Sequence, residues 1–153
     1  MAQAQKQVRI IEPLERFVNR INLVGCYARV SSDSEDQLNS YNNQVDFYES
    51  FVNSLENSKL VKIYTDEGIT GTRMDKRDGF LQMIEDCRKG LINTIITKSI
   101  SRFARNITET LSVVRELKSI GVSVYFMTEK INTAKMGSEM MLAVYAACAE
   151  IES

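Results

Sequence analysis

The strongest constraint on this chain is a repeated change of hydrophobic period, from short continuous apolar runs to helical spacing and back. "NLVGCYA" (22–28) reads as a buried strand, and "KLVKIYT" (59–65), "NTIIT" (93–97) and "VSVYFM" (122–127) repeat the signal. Between the first two, Leu38, Tyr41, Val45, Tyr48, Val52 and Leu55 recur by threes and fours, which predicts a helix from Leu38 onward. Phe80, Met83, Ile84 and Cys87 predict a shorter helix closing near Gly90. Residues 107–120 predict another, with Gly121 as its C-cap. Two polar stretches remain as loops, "DEGITGTRMDKRDG" (66–79) and "KSISRFARN" (98–106). Alternation of this kind predicts an α/β fold, with a parallel sheet covered by helices on both faces.

A chain of 153 residues is one domain with room for a proper core. Its 19 basic and 20 acidic residues nearly cancel, which counts against a self-sufficient DNA-binding protein. The cysteines, at 26, 87 and 148, are odd in number, widely spaced and set in apolar surroundings. They fit reduced core residues and a cytoplasmic protein, not a disulfide framework or a metal site. No apolar run approaches membrane-spanning length, and "MAQAQKQVRIIEPLERF" lacks a secretory h-region. Residues 1–20, with the sole proline Pro13, form a partly ordered lead-in on this reading. "GSEMMLAVYAACAEIES" (137–153) is helical by composition yet apolar on nearly every face. Such a helix is expected to be buried against another subunit, and it stops without a cap or breaker, as a truncated helix does.

In open parallel α/β sheets, sites form beyond the carboxyl ends of the strands. The first strand leads into "YARVSSDS" (27–34), with Arg29, Ser31 and Ser32. The second leads to Arg73, Lys76 and Arg77, and the third to Lys98, Ser99, Ser101, Arg102 and Arg105. The chain has no histidine, so a Ser-His-Asp triad is excluded. A serine among arginines suits a phosphate instead. Guanidinium groups bind phosphate oxygens through paired, charge-assisted hydrogen bonds of about 1.5–3 kcal/mol each. They also stabilise the extra charge of a phosphoryl transition state, and the same field favours a serine alkoxide. Blander roles fit each residue taken singly. Arg102 and Arg105 fit a solvated helix start, Asn106 or Thr108 an N-cap, and residues 66–79 a surface loop. Their joint placement on one sheet edge is what favours chemistry.

Four segments carry a family resemblance: "YARVSSDSEDQLNSYNNQ", "YTDEGITGTRMDKRDGF", "ITKSISRFARN" and "MGSEMMLAVYAACAEIES". In this order and spacing, from about residue 22 to the end, the chain resembles the catalytic domain of serine recombinases (the resolvase/invertase family). It is most like the large serine integrases and transposases of mobile elements. The resemblance implies a mostly parallel four- to five-stranded sheet flanked by helices over residues 21–135. It also implies that 136–153 begin a long oligomerisation helix, here truncated, with the DNA-reading domains absent. Ser31 falls on the nucleophile, with Ser32 its neighbour. Arg29, Arg77, Arg102 and Arg105 fall on the phosphate-binding arginines, with Gln44, Lys98, Ser101 and Asn106 as further substrate-binding positions. Ser101 replaces an aspartate of the small resolvases, which makes Arg102 the first choice for helping to manage the proton.

The implied reaction is attack of the serine on a DNA phosphodiester, giving a 5′-phosphoserine intermediate, staggered double-strand breaks, strand exchange and resealing in a tetramer. No metal and no other cofactor is implied. The implied partners are DNA, bound weakly and without sequence choice by this chain alone, and further copies of the chain. Two other readings stay open: a catalytically silent oligomerisation module, and a small phosphoryl-transfer enzyme or phosphatase on a similar sheet.

Overall fold

The computed structural model describes residues 20–31, 34–68, 77–103, 106–135 and 137, with the backbone alone at 31, 34–40, 68 and 107. The apolar runs become strands β1 (Asn22–Ser31), β2 (Ser58–Gly68), β3 (Thr94–Thr97) and β4 (Ser123–Phe126), followed by a two-residue β5 (Ile131–Asn132). The helices are α1 (Ser34–Asn53), α2 (Asp78–Arg88), α3 (Ile100–Phe103) and α4 (Ile107–Ser119). The sheet order is β2-β1-β3-β4-β5. β1 to β4 are parallel, and β5 is antiparallel to β4. The expected mostly parallel sheet flanked by helices is therefore what forms. Ser32, Arg73, Lys76, Arg105 and Cys148 lie outside the described residues, as do the expected lead-in (1–20) apart from Arg20 and the expected terminal helix (136–153) apart from Gly137.

Period-two alternation along the strands sorts side chains into two cores. Val24, Cys26 and Ala28 of β1 and Ile96 of β3 meet Tyr48 and Val52 of α1. On the other face Tyr27, Tyr64, Ile95, Val124 and Phe126 pack with Phe80, Met83 and Cys87 of α2 and with Val114 and Leu117 of α4. The β1–β2 register jumps between Val24↔Leu60 and Gly25↔Lys62, leaving Val61 as an extra residue that is 43% exposed. This bulge explains why Leu60 and Ile63, three residues apart, pack on the same face. Cys26 and Cys87 are buried free thiols, and burial pushes both pKa values up to about 12.

Several boundaries move for identifiable reasons. β1 continues past Ala28 to Ser31 because β2 continues beside it, pairing Arg29↔Asp66, Val30↔Glu67 and Ser31↔Gly68. Arg29 and Ser31 thus belong to the strand instead of following it. α1 starts at Ser34, where a polar first turn hides the start from hydrophobic periodicity, and it ends before Leu55. Tyr41 and Leu55 are exposed, since the sheet is met by Tyr48, Phe51 and Val52. The stretch expected as loop after β3 contains the one-turn helix α3, held by its buried Ile100 and Phe103. Gly90 and Gly121 follow α2 and α4 with φ of +78° and +81°, the left-handed geometry that ends helices. Among the described residues no helix is long and apolar enough to cross a membrane.

α2 is fastened to β2 by a polar clasp. The Tyr64 hydroxyl donates to Asp86 Oδ2 at 2.5 Å, and Gln82 Nε2 donates to Asp86 Oδ1 at 2.9 Å. The tyrosine hydrogen bond holds the Asp86 carboxyl below its ordinary value of 3.8, against the opposing effect of burial. A depressed folded pKa contributes stability that is present above the unfolded value and is lost as pH falls through the folded one. Tyr64→Phe is expected to cost about 1–2 kcal/mol at neutral pH. Part of that cost is expected to vanish as pH falls below 3.8, measured by urea unfolding across pH.

Candidate active site

Because β1, β2 and β3 run in one direction, their carboxyl ends share an edge, and the residues just beyond them are delivered to it. Arg29 and Ser31 close β1, Asp66 and Gly68 close β2, and Lys98 to Arg102 follow β3. Ser31 is placed by its backbone, paired with Gly68. Arg29 is half-buried and, by alternation, lies on the sheet face of Tyr27.

α1 is pinned to the opposite face of this edge. Gln44 Nε2 donates to the Arg29 carbonyl at 3.3 Å, and the Tyr48 hydroxyl donates to the Tyr27 carbonyl at 3.1 Å. Thr97 Oγ1 donates to that same carbonyl at 3.3 Å. Burial raises the Tyr48 pKa, and the nearby positive charge of Arg102 opposes the rise. Arg102, in α3, has an exposed side chain. Asn43, Gln44, Phe47, Tyr48, Lys98 and Met127 are among the residues lining a groove of about 360 Å³ here. α3 is oriented by Glu129 Oε1, which accepts from the Ile100 amide at 2.9 Å. Ser101 Oγ lies 3.0 Å from Ser99 Oγ.

On the Tyr27 face the organising group is Asp66. Its Oδ1 accepts from the Gly79 amide at 2.7 Å, and its Oδ2 accepts from the Phe80 amide at 2.9 Å and the Tyr27 hydroxyl at 2.7 Å. Arg77 occupies the N-cap position of α2, and its side chain makes no capping hydrogen bond. The carboxylate at the end of β2 supplies that cap from across the fold, where the helix dipole also favours an anion. The approach is close enough to require glycine, since a Cβ on Gly79 would stand 2.3 Å from the Thr65 carbonyl oxygen. Burial, and then the Asp66 hydrogen bond, raise the Tyr27 pKa.

Arg77 is thereby held at the edge in a defined setting. Its Nη1 donates to Glu109 Oε1 at 2.6 Å, and its Nη2 donates to the Phe103 carbonyl. The guanidinium lies over the Phe80 ring, with Cζ 3.8 Å from the centroid. Below it, Tyr27, Phe80, Phe103 and Phe126 form a chain of edge-to-face rings with centroids 5.2–5.5 Å apart. Asn106, expected at the substrate, caps α4 by accepting from the Glu109 amide at 2.8 Å.

Of the residues singled out from sequence, Arg29, Ser31, Gln44, Arg77, Lys98, Ser101 and Arg102 are brought to this edge, and Arg105 lies outside the described residues. The sequence reading attached no role to Tyr27, Asp66 or Glu109. An acid at the end of a strand, just before a glycine loop, marks Asp66. The N-x-x-E spacing of Asn106 to Glu109 is a helix-start signature, and here the carboxylate reaches Arg77. Among the described residues no cluster of three Cys, Asp or Glu side chains could hold a metal ion.

Residues 24–153 match the family described as Resolvase, N terminal domain. Over 134 residues, 82% of the chain, it is 31% identical to the transposon Tn552 resolvase of Staphylococcus aureus, covering 57% of that protein. It is 31% identical over the same length to the transposon Tn552 DNA-invertase BinR of Staphylococcus aureus, covering 59%. The chain thus spans less than two thirds of the curated relatives it matches. A crystal structure of a resolvase family site-specific recombinase from Streptococcus pneumoniae superposes with a TM-score of 0.67 at 28% identity, covering 86% of this chain and 87% of that one.

Asp66→Asn replaces an acceptor with a donor facing groups that themselves donate. It is expected to destabilise the fold by about 1–3 kcal/mol in denaturant unfolding. Hydrogen exchange at the Gly79 and Phe80 amides is expected to accelerate with it.

Proposed function

The chain belongs to the resolvase family, and from that membership we propose that it is the DNA-breaking domain of a site-specific serine recombinase. What supports this reading is the shared carboxyl edge of β1, β2 and β3: Arg29 and Ser31 end β1, and Arg77 and Arg102 belong to the segments that follow β2 and β3. Ser31 Oγ attacks a DNA phosphorus, the bond to the 3′ oxygen breaks, and the protein is left esterified to the 5′ phosphate. The leaving 3′ oxygen takes up a proton, with Arg102 helping to manage that transfer. Arg29, Arg77, Arg102 and Arg105 hold the phosphoryl oxygens, whose negative charge grows in the transition state. Gln44, Lys98 and Ser101 contact the substrate around them, while Asn106 serves as the cap of α4.

The phosphoserine ester conserves the energy of the broken bond, so resealing after strand exchange needs no nucleotide cofactor. Exchange takes place in a tetramer assembled through residues 136–153. With near-balanced charge, the chain alone binds DNA weakly and in a salt-sensitive way. Cytoplasmic residence accords with buried, unpaired Cys26 and Cys87. Those thiols also speak against a cysteine-dependent phosphatase, since burial raises their pKa and keeps the thiolate scarce.

The test is covalent trapping. With the chain extended through its terminal helix and joined to a module of known DNA specificity, a denaturant-resistant adduct with labelled DNA is expected. Ser31→Ala is expected to abolish it and Ser32→Ala to retain it. An adduct that survives Ser31→Ala sinks the nucleophile assignment. No adduct despite verified tetramers on DNA favours a silent oligomerisation module.

A further inference from the structure

Arg77 is assigned above to a DNA phosphate, yet in the DNA-free protein its guanidinium already has an anion. Glu109 Oε1 stands 2.6 Å from Nη1, a charge-assisted contact of the kind a phosphate oxygen makes. The two partners are unequally exposed, 12% for the arginine side chain and 31% for the glutamate. The glutamate side chain is thus the more solvent-exposed member of the pair. Among the described residues Arg77 also rests on uncharged groups, the Phe103 carbonyl on Nη2 and the Phe80 ring beneath, with the Tyr27 hydroxyl nearby. Both can persist while Nη1 changes acceptor, so an exchange needs no repacking of the aromatic chain. The Asn106 cap fixes the first turn of α4 and with it the position of Glu109.

We propose that Glu109 is a positioning residue for Arg77, its carboxylate standing in for a DNA phosphate oxygen until substrate arrives and then yielding the guanidinium to it. This rests on the reading of Arg77 as a phosphate ligand. Before DNA binds, the pair keeps a poorly solvated cation neutralised and aimed. On binding, an anion replaces an anion, and the net cost is the difference between the two contacts. Glu109 therefore weakens DNA binding while keeping the site in order.

Binding of the chain to a short DNA duplex across a salt series tests this, with Glu109→Gln, Arg77→Gln and the double variant beside the unmodified protein. Glu109→Gln keeps the shape and removes the competing charge, so binding is expected to tighten about two- to fivefold. Arg77→Gln is expected to weaken binding and to lower the slope of log affinity against log salt by about 0.9, one phosphate contact. The gain from Glu109→Gln is expected to disappear in the double variant. A gain that persists there reflects only the loss of a negative charge near DNA, and overturns the proposal. No gain, or a loss, overturns it too, as the mark of a purely structural carboxylate. An unchanged salt slope in Arg77→Gln fails the reading of Arg77 as a phosphate ligand, independently of Glu109. Thermal unfolding accompanies each variant, and Glu109→Asp, one methylene shorter, replaces Glu109→Gln with the same expected sign if the latter does not fold.

Discussion

The central strand β1 is hydrogen-bonded in parallel to β2 on one side and to β3 on the other, and the candidate site takes its position from that pairing. Parallel strands need crossover connections, which send α1 to one face of the sheet and α2 to the other. They also bring every carboxyl end to one edge. Arg29, Asp66 and the Lys98–Arg102 segment come from distant parts of the chain and meet there without any local sequence relationship. The register extends the ladder to Ser31↔Gly68, so the proposed nucleophile sits on a strand whose backbone is paired up to its last residue. Rigid support of that kind suits a group that must be aimed at a phosphorus.

Around that edge, uncharged and charged interactions divide the labour. The aromatic chain from Tyr27 to Phe126 makes a stiff apolar floor. Asp66 satisfies two backbone amides at the start of α2 and the Tyr27 hydroxyl, so the floor, the strand end and the helix move as one unit. Arg77 then links that unit to the Phe103 carbonyl and to α4 through Glu109. An arginine suits this place because its planar fork can serve several acceptors while stacking on a ring.

Much of the architecture was legible because it is written in local periodicity. Phe80, Met83, Ile84 and Cys87 all turned out buried along α2. The strand cores at Cys26, Ile95, Ile96 and Val124 fell where the apolar runs placed them. What escaped did so for equally physical reasons. α3 is four residues long and β5 two, too short for a period to show, and each depends on tertiary partners: Glu129 for the one, Thr133 on the Val124 amide for the other. The bulge at Val61 breaks the alternation of β2 and is visible only against β1. Tyr41 and Leu55 fit a helical stripe on paper, but the stripe outruns the sheet that could cover it.

The same division holds at the candidate site. Sequence alone determined the alternating strands and helices, and with them which serine and which arginines lie near the strand ends, because hydrophobic spacing and strand direction are properties of short segments. Only the tertiary structure decided what those charges touch. The Arg77–Glu109 pair spans 32 residues, and Asp66 reaches 39 residues back to Tyr27 and 13 and 14 forward to Gly79 and Phe80. No spacing rule links such positions. They meet because burying two apolar sheet faces fixes where α2 and α4 lie, and the polar groups caught at that junction must then satisfy one another.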